Sequence, residues 1–164
     1  MKQLITLSLL LLASCPLLLA QNDNGAIDAP GDIAFVGYHD DDDGFSFLLL
    51  DDAPNATSII FTDKGWDGSA FESGEGSVVW TNNTGNTLSA GTVIDIVDAD
   101  NNNSGINASA GTASETAGSG FSTGTANDQI YALIGTIDGM GIPQPTTFLA
   151  FIGGLDDTQG ATLN

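Results

Sequence analysis

Beyond its first twenty residues the chain shows no long apolar pattern of helical period. Its apolar residues come in short runs rich in Val, Ile, Phe and Leu, each ended by Gly, Pro, Asn, Asp, Ser or Thr. Runs cut this way by turn chemistry read as strands, and with nothing helical between them they stack as antiparallel sheets. Asp32–Tyr38 and Gly44–Asp51 are apolar on both alternating faces, and Thr57–Thr62, Ser77–Thr81, Thr92–Val97, Gln129–Gly135 and Thr147–Gly153 follow. The spacing predicts an all-β fold, an antiparallel β-sandwich of about seven or more strands with long polar loops. The longest polar stretch, residues 98–126, exceeds an ordinary connection and is expected to be a functional loop, a disordered excursion, or both.

Residues 1–20 combine a head bearing Lys2 with apolar runs at Leu4–Leu12 and Leu17–Ala20, the layout of a cleavable export signal with Gln21 as the mature start. Leu12–Ala13–Ser14–Cys15 competes as a lipoprotein box, although Pro16 and three leucines follow it where a polar tether would be usual. The expected organisation is a signal at 1–20, a polar tether at 21–30 and one sandwich domain at 31–164. The chain ends after a turn-like stretch without a closing strand, as a piece of a longer protein would. Cleavage at Ala20 removes Cys15, the sole cysteine, so neither disulfides nor thiolate zinc sites are available afterwards.

Charge narrows the function classes. The full chain carries −19; loss of Lys2 with the leader, which holds no acid, makes that −20 and leaves Lys64 as the only basic residue apart from His39. Such a surface repels nucleic acid and anionic lipid and attracts cations. Without arginine, the protein has no fork with which to clamp phosphate or carboxylate. The expected partners are cations and polysaccharide or other surface proteins, with no nucleic acid and no membrane insertion once the signal is cut.

The acidic turn Asp40, Asp41, Asp42 and Asp43, followed by Asp51 and Asp52 at the close of the next strand, is the leading candidate for a hard cation such as calcium, which needs several oxygens near one point. A solvated turn that discourages edge pairing is the plainer alternative. His39 stands beside it as a possible further ligand or base. The run Asp98–Gly105 imitates half a calcium loop, but it has Asn103 where that loop needs Gly and no Glu at its twelfth place, so it reads as an Asn/Asp turn. Gly120-Phe-Ser122-Thr-Gly124 matches a nucleophile elbow without the following helix or a downstream histidine, a chance match in a Gly/Ser-rich tract. Lys64 is expected to pair at the surface with Asp63 or Asp67. Trp66 with Asp63, Asp67 and Asn82 makes a candidate sugar platform, whereas Trp80, inside an apolar strand, belongs to the core.

The segments Gly31–Tyr38, the acidic turn, Phe45–Leu50, Ile60–Trp66 and Gly74–Trp80 occur in that order. Over about residues 31–154 the chain thereby resembles the N-terminal β-rich module of secreted, multi-domain surface proteins of marine bacteria. The resemblance implies an exported accessory domain rather than a reaction. The expected function is therefore a non-catalytic, secreted or cell-surface module of adhesion type, stabilised by calcium. The alternatives are a carbohydrate-binding module and a metal-dependent secreted hydrolase built on His39 and Asp40–Asp43.

Overall fold

A computed structural model describes residues 24–39, 43–99, 105–116, 120–123 and 128–155. Among the described residues there are nine strands and no helix: β1 (Ile33–His39), β2 (Gly44–Leu49), β3 (Ser58–Thr62), β4 (Ser77–Thr81), β5 (Val93–Val97), β6 (Asn107–Ala108), β7 (Thr112–Glu115), β8 (Asp128–Ile137) and β9 (Pro143–Leu155). They form two sheets in the orders β1-β2-β5-β6 and β7-β4-β3-β8-β9, with every pairing antiparallel. The expected sandwich is the observed fold.

Strand alternation decides which residues meet between the sheets. Phe45, Phe47 and Leu49 of β2 and Ile94 and Ile96 of β5 face Ile59 and Phe61 of β3, Val78 and Trp80 of β4, and Ile130 and Ala132 of β8. Aromatic rings key this layer: Phe47 lies 4.9 Å from Phe61 and 5.3 Å, edge-on, from Trp80. Trp80 is fully buried and its indole N–H donates to the Ala110 carbonyl at 2.8 Å, so its one polar group is satisfied.

Three features depart from the sequence pattern. Residues 24–30, expected as a tether, pack on the domain: Ile27 is buried in the core and the Gly31 amide donates to the Leu149 carbonyl at 2.9 Å. Ile27 supplies the apolar anchor, and the Asp28 and Ala29 amides add bonds to the Asp32 carboxylate. The polar segment 98–126 contains β6, which pairs with β5, and β7, which pairs with β4. Backbone amides need partners whatever their side chains, so even an Asn/Ser/Thr-rich segment adds strands to open sheet edges. Strand β9 begins at Pro143, well before Thr147, and pairs Pro143 with Ile137 and Pro145 with Gly135. Prolines are tolerated there because β9 is an edge strand, with one side free of ladder bonds.

Removing the central indole tests this packing. Trp80→Ala is expected to cost about 3–5 kcal/mol in urea unfolding, through a cavity plus an unpaired carbonyl. Val36→Ala, at a bulged position 53% exposed, should fall within about 0.5 kcal/mol of the parent.

Candidate functional site

Carboxylates gather at the end of the sandwich where β1 turns into β2 and β3 ends. Asp40–Asp42 lie outside the described residues; Asp43 is described. Its φ of 46° is a left-handed conformation that Asp tolerates better than most residues. Its Oδ1 accepts from the Thr123 amide at 2.8 Å and the Thr123 hydroxyl at 3.2 Å. Asp63, just past β3, accepts from the Gly76 amide through Oδ1 and the Ser122 amide through Oδ2, both at 2.8 Å. Glu115, ending β7, accepts from the Phe121 amide at 3.0 Å. Three consecutive amides, 121 to 123, are thus held by three carboxylates from three separate elements. The Tyr38 hydroxyl adds a bond to the Thr123 carbonyl at 3.0 Å.

This strap closes the core. Phe121 is fully buried, 5.7 Å from Phe45. Gly76 is required beneath it, because a Cβ there would collide with the Phe121 backbone. Ser122 of the rejected elbow therefore belongs to a structural clamp. Burial pushes the Asp63 carboxyl up to about 7, outweighing the backbone N–H bonds from Ser122, Gly76 and Asp63 itself that favour its charged form, and the nearby Glu75 charge adds to the rise. Lys64, expected at the surface, is buried instead, 3% exposed.

The other residues of the two predicted sets are dispersed. Asp51 and Asp52 follow β2 while Asp43 precedes it, which places them roughly 25 Å apart by strand rise. Asp51 is buried, with Oδ2 accepting from the Asn24 amide at 3.1 Å and Oδ1 from the Asp52 amide at 2.6 Å; Asp52 accepts from the Ala90 amide at 2.9 Å. Asn82 lies beyond the Ser58–Thr81 pair whereas Asp63 lies beyond the Thr62–Ser77 pair, a separation of roughly 20 Å. It is fully buried, donating to the carbonyls of Ala53 and Asn86 and accepting from Thr84, so it is spent on loop structure. Asp67 is exposed; the Ala70 and Ser69 amides and the Ser69 hydroxyl it accepts hold its carboxyl below the usual range. Among the described residues no group of three or more His, Cys, Asp or Glu side chains forms a ready metal cage.

Trp66 joins an aromatic cluster, with other neighbours than predicted. The loop between β3 and β4 pairs Trp66 with Phe71 around the Asp67 turn and lies on the outer face of the five-stranded sheet. There Ile60, Leu133, Tyr131 and Phe148 receive it. Trp66 is 4.8 Å from Phe71 and 5.2 Å from Phe148, and Tyr131 is 6.0 Å from Phe148 and 4.7 Å from Phe151. Phe71 is buried, Trp66, Tyr131 and Phe148 are half-buried, and Phe151 is 56% exposed. The sequence signal for this strip was the apolar residues on both faces of Gln129–Gly135 and Thr147–Gly153. No family model, curated protein or solved structure matches the chain.

The Asp63 environment sets a pH dependence. An acid whose folded pKa of about 7 exceeds its model value of 3.8 binds protons more readily when folded. Its stabilising contribution is complete below the lower value and is lost as pH rises through the upper one. Chemical denaturation should show stability falling by on the order of a few kcal/mol across that window. In Asp63→Asn the slope should disappear; an unchanged slope would assign it elsewhere.

Proposed function

We propose that this chain is an exported, non-catalytic binding module of a cell-surface or adhesion-type protein, and that it binds through the outer face of the five-stranded sheet. The observation that carries the reading is the aromatic strip Trp66–Phe148–Tyr131–Phe151, buried at one end by the loop hairpin and open at Phe151. The leader at residues 1–20 supports export. The carboxylates supply further support: Asp43, Asp63 and Glu115 are engaged in holding backbone, which suits a scaffold better than a reaction centre.

The same strip favours one ligand class, a neutral polysaccharide. Flat rings offer C–H/π contact to sugar faces, and Asp67 is exposed on the hairpin that carries Trp66 and Phe71. A net charge of −19 works against anionic glycans. Retention on insoluble or immobilised neutral polysaccharide tests the reading. Phe151→Ala, at an exposed position, should weaken retention by about tenfold or more with an unaltered melting temperature. Binding unaffected by both Phe151→Ala and Trp66→Ala would remove the strip from the site.

A further inference from the structure

We propose that a calcium ion binds at the turn leading into β1, with Asp32 as its principal ligand and Asp28 and Asp51 supplying further oxygens. This site lies at the end of β2 opposite the strap and is independent of the glycan reading. The deciding observation is Asp32. It is fully buried, and its Oδ1 is the one buried side-chain polar atom among the described residues without a hydrogen-bond partner. Its Oδ2 accepts from the amides of Asp28 and Ala29 at 2.8 and 2.6 Å, which aims the carboxylate into the turn. Its main-chain oxygen accepts from the amides of Leu50 and Asp51 at 2.7 and 3.2 Å, which brings Asp51 to the same place.

A buried carboxylate oxygen without a donor is costly unless a cation, a proton or a water meets it. No side chain of this protein can supply the charge. There is no arginine, Lys2 lies in the leader, Lys64 follows β3 at the other end of the sandwich, and His39 closes β1 at its far end. The surroundings add more negative charge: Asn24 donates its side-chain amide to both oxygens of Asp28 and its backbone amide to Asp51 Oδ2, which ties both acids to the segment that leads into Asp32. All the donors are hard oxygens, with neither His nor Cys, and calcium accepts an irregular set completed by main-chain carbonyls and water. The carboxylates do not stand as a ready three-acid cage. Asp28 is exposed and among the described residues its carboxylate accepts only from the Asn24 side chain, so binding an ion would require it to exchange that bond for the ion. The ion would then pin residues 24–30 to the sheet end and compensate part of the self-repulsion.

Chelator-stripped protein titrated with calcium chloride in a calorimeter, paired with scanning calorimetry with and without calcium, tests the site. The expected result is a bound ion at this turn, a melting temperature raised by several degrees in calcium and not in equal magnesium, and loss of both effects in Asp32→Asn. Asp28→Ala, at an exposed position, should weaken calcium by about tenfold and leave the chelated melting temperature unchanged. The triple variant Asp40→Asn, Asp41→Asn, Asp42→Asn should keep the calcium shift. A melting temperature indifferent to calcium would mean that water serves Oδ1 and would overturn the proposal. So would a calcium shift that persists in Asp32→Asn and Asp28→Ala, or one abolished by the triple variant alone.

Discussion

Backbone N–H dipoles are the principal partners of this protein's described carboxylates. With no arginine and only Lys2 and Lys64 as lysines, the protein has few cationic side chains to meet its acids, and among the described residues many carboxylates accept from main-chain N–H groups instead. Asp32, Asp51, Asp52, Asp63, Asp67, Glu115 and Asp138 each accept from backbone N–H, as does Asp43. A charge-assisted bond of this kind is stronger than a neutral one and demands geometry from the loop that donates it. Acidic composition thereby becomes loop architecture: the turn at 67–70, the hairpin at 138–142 and the strap at 121–123 are all shaped by a carboxylate within them or across from them.

The two ends of the sandwich treat this chemistry differently. At the strap, each carboxylate has amide partners and the cost is desolvation, felt most by Asp63 beneath the 120–123 backbone. At the β1 entrance, Asp32 satisfies one oxygen with two amides and leaves the other bare. The first is a closed structural clamp whose charge state tracks pH; the second is a cradle short of one partner. Between them lies a core of rings keyed by Phe45, Phe47, Phe61 and Trp80, into which the strap inserts Phe121. The outer aromatic strip is a separate layer, created because a long β3–β4 loop folds back and brings Trp66 and Phe71 onto a sheet face that would otherwise be fully exposed.

Much of the fold was legible in the residues, and the candidate site was legible only in fragments. Short apolar runs rich in β-branched and aromatic residues, cut by turn chemistry, gave β2, β3, β4, β5 and the central part of β8 nearly to their ends, because such residues suit a buried pleated surface. The prolines at 143 and 145 hid the start of β9, and a polar composition hid β6 and β7, since edge pairing is a backbone property that side chains barely advertise. Asp43 and Asp63 stood out as acids without revealing that both reach residues 122–123, some sixty to eighty positions later. Trp66 was visible as an aromatic in a polar loop; Tyr131, Phe148 and Phe151, its actual company, were indistinguishable from core strand residues.

Local patterning and charge balance, both written residue by residue, determined that this polypeptide forms stacked antiparallel sheets and has almost no basic side chains to meet its acids. Which acids share a loop, which stand at opposite ends of a strand, and which apolar face stays open were decided by strand order and register. Those are relations between segments distant in the chain, set when the sheets close over one another, and no single segment carries them.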